Sequence, residues 1–108
     1  MTELEQKLYE KQADLFKALA HPLRLSIIAF LKDGERCVCE IVENVPAERS
    51  NISRHLALMT SAGVLESRKE GLRVYYKLKR ECVLSFLDCV NECILAEIKQ
   101  DTELIALL

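Results

Sequence analysis

Val38-Cys39-Glu40-Ile41-Val42-Glu43-Asn44-Val45-Pro46-Ala47-Glu48-Arg49-Ser50-Asn51-Ile52-Ser53-Arg54-His55-Leu56-Ala57-Leu58-Met59-Thr60-Ser61-Ala62-Gly63 is the stretch that decides the fold. It reads as a short helix over roughly Val38 to Asn44, stopped by Val45-Pro46, then a second helix from about Glu48 to Ala62. Gly63 closes that second helix as a C-terminal cap. Two helices across so tight a connection form a helix-turn-helix, a unit that can set its second helix in the DNA major groove.

On a helical wheel at about 100° per residue, Ile52, Leu56 and Met59 cluster within about 40° of one direction. They mark the core side. Ser50, Arg54, Ala57 and Ser61 fall opposite, flanked by Asn51 and Ser53. That outer face is short and polar and carries one arginine. Small residues permit close approach to base edges, and Asn, Ser and Arg hydrogen-bond to them. The same face also fits an ordinary solvated helix surface. His55 sits about 60° from the apolar centre, which suits packing against a neighbouring helix or contact with phosphate.

Beyond Gly63, Val64 to Arg68 and Leu72 to Leu78 flank Lys69-Glu70-Gly71 and predict a hairpin. Arg68, Lys69 and Arg73 surround its tip, with Lys77, Lys79 and Arg80 further along. Such a basic wing can reach the DNA backbone or minor groove, although basic residues also guard exposed strands. Upstream, Leu4, Leu8, Leu15, Phe16 and Leu19 predict a first helix over about 3–19. His21-Pro22 then opens a second, with Leu23, Ile27, Ile28 and Leu31 on one face and Asp33-Gly34 at its end. Val83, Leu87, Val90, Ile94 and Ile98 predict a last helix from Glu81 to about Gln100. The fold class is mainly α with a small β-hairpin. It is a winged helix-turn-helix with a helix added at each end, in one domain over 1–108.

Composition agrees. Of 108 residues, 50% are hydrophobic and 30% charged, with 3 Gly and 2 Pro, which excludes low-complexity disorder. No apolar run reaches membrane-spanning length, and the first residues lack an apolar signal core, so a cytoplasmic location is expected. The net charge of −2 is unevenly spread: residues 47–80 carry 8 basic and 3 acidic side chains, whereas 81–108 carry 1 and 6. Local potential governs phosphate binding more than the total does. The 5 cysteines are odd in number, which suits free thiols or ligands better than a disulfide framework.

Ala18-Leu19-Ala20-His21-Pro22-Leu23-Arg24-Leu25, Ser53-Arg54-His55-Leu56, Ala62-Gly63-Val64-Leu65 and Arg73-Val74-Tyr75-Tyr76-Lys77-Leu78 together resemble the ArsR/SmtB family of repressors, over roughly residues 12–100. The resemblance implies a homodimer joined through the first and last helices. It would bind double-stranded operator DNA and release it on sensing a metal, metalloid or oxidant. By the same resemblance, DNA contacts fall at Ser50, Asn51, Ser53, Arg54 and His55, with the wing around Arg68, Lys69 and Arg73.

Glu35-Arg36-Cys37-Val38-Cys39-Glu40 is similar to that family's arsenic-sensing motif, with Val42 where a third cysteine usually stands. Thiolates suit As(III), Sb(III), Cd(II) or another thiophilic ion, and no obligatory cofactor is implied. Residues two apart on a helix point about 200° from each other. Cys37 and Cys39 therefore converge on one ion only if the backbone there is distorted or not yet helical. Cys82, Cys89 and Cys93 share one stripe of the last helix with Phe86. Cys89 and Cys93, one turn apart, are candidate ligands, while Cys82 lies about 10.5 Å from Cys89 along the axis. Interface packing explains that stripe equally well. The family's zinc site on this helix uses Asp and His; Asp88 is present, but the helix has no histidine. Thiol redox or reactive-sulfur sensing is the competing mechanism. An enzyme, such as a small thiol oxidoreductase, has no support beyond the spacing of Cys37 and Cys39: there is no Gly-rich phosphate loop and no Cys-x-x-Cys. A constitutive DNA-binding module with structural cysteines is the third reading.

Overall fold

The computed structural model describes residues 1–108. Its elements are α1 (Glu3–Leu19), α2 (Pro22–Phe30), β1 (Arg36–Cys37), α3 (Val38–Asn44), α4 (Arg49–Ser61), β2 (Leu65–Glu70), β3 (Arg73–Leu78) and α5 (Cys82–Ala106). The expected order of helices and hairpin is present. The sheet, however, has three strands in the order β1-β3-β2, because Arg36 and Cys37 pair antiparallel with Tyr76 and Tyr75. The hairpin turn is also shorter than expected. Lys69 and Glu70 lie in β2, paired with Val74 and Arg73, which leaves only Gly71-Leu72 to turn the chain. Gly71 takes φ +62. Glycine with positive φ at the first position of a two-residue loop matches the right-handed twist of the flanking strands. The last helix runs on to Ala106 rather than stopping near Gln100, since no Gly or Pro follows to break it.

One core joins the helix-turn-helix to the sheet. Ile27 and Ile28 of α2, Ile41 of α3 and Ile52, Leu56 and Met59 of α4 are fully buried with Leu31, Val64 and Leu65. Each such side chain contributes roughly 1.5–3 kcal/mol by leaving water. The wheel's core face of α4 is thus the buried face. Gly63, at φ +80, turns the chain out of α4. The Gly63 N–H donates to Thr60 O at 3.1 Å and the Val64 N–H to Met59 O at 2.9 Å. That pair of bonds satisfies the last carbonyls of the helix and directs Val64 into the core.

The protomer is not compact. Its radius of gyration is 17.0 Å, against about 13 Å for a compact domain of this length. The terminal helices account for the excess. Of the 25 residues of α5 only Val83 is buried. Phe86, Ile94, Leu95, Ile98, Leu104 and Ile105 are exposed, as are Leu4, Leu8, Tyr9 and Phe16 of α1. Phe16 and Phe86 meet with ring centroids 5.6 Å apart. No helix is long and apolar enough to cross a membrane.

Candidate nucleic-acid interface

Of the residues expected to contact DNA on α4, Ser50, Asn51, Ser53 and Arg54 are exposed, as are Ala57 and Ser61. The Arg54 guanidinium reaches back to Asn51 Oδ1 at 3.4 Å, so these two polar groups lie together on the outer face. The start of α4 differs from those of α1 and α3, and resembles that of α5, which also lacks a side-chain cap and a first-turn acid. Both α1 and α3 carry glutamate in the first turn and complete a capping box. Helix α4 has no acidic residue in its first turn, and its N-cap, Glu48, makes no side-chain capping bond. The first amides therefore remain available, and Arg49 stands where the helix dipole disfavours a cation. A phosphate at that end would be held by both. Sequence reasoning passed over Arg49, although a basic residue in the opening turn of a helix was a readable signal.

His55 takes the packed alternative. It is 5% exposed, and its Nδ1 accepts from Arg24 Nε–H at 3.0 Å. Arg24 in turn donates to the carbonyls of Lys17 and Ala18 at 3.1 and 3.3 Å. The His21 ring lies 4.4 Å from that of His55, centroid to centroid. His21 itself caps α2, its Nδ1 accepting from the Leu23 N–H at 3.1 Å. This network fixes α4 to the end of α1 and the start of α2.

Burial, followed by the charges of His21, Arg24 and Arg54, holds His55 below its ordinary value of 6.5. The unfolded chain therefore takes up this proton first as pH falls. The His55 contribution to stability should be complete above about pH 6.5 and should be lost below it, as pH falls through the lowered folded-state value. Urea midpoints at about pH 7.5 and about pH 5.5 should differ more for wild type than for His55→Gln. Equal differences in the two proteins would remove His55 as the titrating group.

On the hairpin, Lys69 and Arg73 are exposed, but Arg68 is already engaged. It grips Glu35, with Nε 2.9 Å from Oε2 and Nη2 2.6 Å from Oε1, and reaches Glu70 at 2.8 Å. This pairing holds the Glu35 carboxyl below its usual range and raises Arg68. Tyr76 packs against the core, while the Tyr75 ring lies 4.6 Å under the Arg68 guanidinium. Neither tyrosine is set out for base stacking.

The thiol pair lies beside the hairpin, where Cys37 pairs with Tyr75 of β3. Cys37 ends β1 and is the N-cap of α3, with extended dihedrals of φ −66 and ψ 146. Its Sγ accepts from the Cys39 N–H at 3.4 Å, and Glu40 closes the box by accepting from the Cys37 N–H at 3.2 Å. Cys37 is thus not yet helical, which is the condition for its sulfur to meet that of Cys39. The Cys39 thiol beside it, as a hydrogen-bond partner, holds Cys37 below the usual thiol range, and the same neighbour pushes Cys39 up. Arg73 is raised by the Tyr75 hydroxyl first and then by these thiols. Cys37 is buried and Cys39 exposed. No group of three or more His, Cys, Asp or Glu side chains in the protomer is placed to hold a metal. Cys82, Cys89 and Cys93 are exposed on α5 and are not brought to the Cys37–Cys39 pair.

The model of the bacterial regulatory protein arsR family matches residues 21–67, the segment from the His21 cap to the middle of β2. An uncharacterized HTH-type transcriptional regulator of Methanocaldococcus jannaschii is 36% identical over 85 residues, covering 78% of this chain and 96% of that protein. The arsenical resistance operon repressor of Escherichia coli is 45% identical over 65 residues, 59% of this chain and 56% of that protein. Among solved structures, the homodimeric winged helix-turn-helix DNA-binding domain from Mycobacterium bovis aligns with a TM-score of 0.81 at 29% identity, covering 93% of each chain.

Proposed function

The chain belongs to the arsR family of bacterial regulatory proteins, and from that premise we propose that it is a homodimeric repressor whose hold on operator DNA ends when Cys37 and Cys39 capture a thiophilic ion, arsenite foremost. As a family member it is a transcriptional regulator that binds DNA, not an enzyme. The apolar residues that α1 and α5 leave exposed, among them Leu4, Leu8, Ile94, Leu95, Ile98, Leu104 and Ile105, are where the second copy belongs. Large exposed apolar patches on a protomer mark interaction surfaces. Pairing there presents two α4 helices, one to each half-site, about one DNA turn apart.

The observation that carries the sensing reading is the position of Cys37. It joins β1 to the helix that supports α4, and its sulfur serves as the cap of that helix. Soft sulfur donors suit As(III), Sb(III) and Cd(II). Two thiols are present on the chain at this point, so one valence of As(III) is left to solvent. A ligand held by Cys37 takes the sulfur from its capping bond and disturbs the start of α3. The ligand then favours the conformation that binds DNA less well. Thiol oxidation is the second reading, because the exposed Cys39 lies beside a thiol held below its usual range, and a lowered thiol reacts more readily with an oxidant or persulfide.

A release screen decides between them. Operator-bound protein is exposed to arsenite, Cd(II), Zn(II) and persulfide, with free thiols counted in parallel. Release by arsenite with thiols recovered after chelation is the expected result. Release by persulfide alone would transfer the site to sulfur chemistry, and release by none would leave a constitutive binder.

A further inference from the structure

The segment that carries the cysteine pair is tied to the hairpin as well as to the helix-turn-helix. Cys37 pairs with Tyr75 of β3, and across the hairpin Tyr75 pairs with Arg68 of β2. The Arg68 guanidinium lies over that same ring and closes its bidentate grip on Glu35, two residues before Cys37. This is the one side-chain ion pair that links β2 to a segment outside the hairpin. Beyond it the tip stands clear of the core: residues 67–73 are exposed and Leu72 is wholly so. An isolated surface ion pair contributes little. This one is bidentate, stacked on an aromatic ring, and buries the Glu35 side chain to 27% exposure.

We propose that the hairpin is a second output of the cysteine pair. The Glu35–Arg68 clamp fixes the basic tip in the ligand-free protein, and ligand capture at Cys37 and Cys39 lets it go. The inference rests on the reading of those two cysteines as the sensing thiols. Strand β1 is only two residues long, so a change in the dihedrals of Cys37 displaces the whole strand and Glu35 with it. A tip that is no longer fixed must be ordered at every DNA encounter, and that ordering costs affinity. Lys69 and Arg73 then contribute less although neither touches the ligand. Glu35 is a positioning residue in this scheme. It acts through Arg68 and makes no contact with DNA or ligand.

The test compares full-length wild type with Glu35→Gln, with Glu35→Asp as the conservative variant. Three quantities are read on each: the near-ultraviolet thiolate–arsenic absorption as arsenite is added, operator affinity with and without arsenite, and amide hydrogen exchange across residues 65–78. Wild type should bind arsenite, lose operator affinity and exchange faster in the hairpin. Glu35→Gln should bind arsenite as wild type does and show fast hairpin exchange from the outset. Its arsenite-dependent loss of operator affinity should shrink by about fivefold, the low end of ordinary coupling. Glu35→Asp should restore part of both. Undiminished release from Glu35→Gln overturns the inference, as does release from wild type with an unchanged hairpin. In either case the sensing reading survives. A wild type that never binds arsenite overturns both.

Discussion

Replacing Cys37 with serine should give a folded, operator-bound protein that arsenite no longer releases. The substitution separates two roles that the structure joins in one atom. The Cys37 sulfur is both the cap of α3 and the deeper donor of the thiol pair. Serine is among the better N-cap residues, and its hydroxyl accepts the same amide bond with Glu40 still placed to close the box. Stability should therefore hold or rise, by up to about 1 kcal/mol. A hydroxyl is a poor ligand for soft ions, so the coupling between inducer and DNA should vanish. With coupling of ordinary size, that means a loss of about 5- to 150-fold in operator affinity for wild type with arsenite and essentially none for the variant. Operator titrations with and without arsenite read this directly. Normal release from the variant would place the sensor elsewhere, with Cys89 and Cys93 next in line.

Removing the side chain of Arg54 should cost about 1–3 kcal/mol of operator binding if its fork meets a guanine. The arginine is exposed on the outer face of α4, and its partner Asn51 holds it only weakly at 3.4 Å, so the free protein should fold as before. A base contact has a further signature. The loss should be concentrated at one base pair of each half-site, where Arg54→Ala should tolerate substitution. Lys69→Ala, by contrast, should weaken all sequences alike and lower the salt slope by about one unit. An Arg54→Ala protein with unchanged affinity and sequence preference would remove the arginine from the recognition surface.

How far these residues were legible depended on the range of the interaction. The α4 faces could be read because Ile52, Leu56 and Met59 repeat at helical spacing, and burial follows that spacing. The end of α5 lies past the regular apolar spacing that stops at Ile98; Leu104 and Ile105 continue the helix and no breaker intervenes. Strand β1 was invisible: two residues cannot alternate, and they are a strand only because β3 lies beside them. Its absence from the sequence reading also hid what Cys37 does. Cysteine is not a usual cap, so only Glu40, three residues on, hinted at a capping box. The wheel put His55 at a margin, and its resolution came from Arg24, 31 residues away. The Glu35–Arg68 pair spans 33 residues, and nothing local announces it. Arg49, the cation in the opening turn of α4, was local and readable.

The central claim is that a basic helix and wing are carried to DNA by two copies of the chain under control of a soft sulfur site. The most direct measurement is the mass and affinity of the protein on its native promoter fragment and on a scrambled one, each before and after arsenite. Two chains per palindromic site, a clear preference for the native fragment and loss of that preference with arsenite are the predicted results. A single chain per site, or equal binding to both fragments whatever is added, would contradict the account.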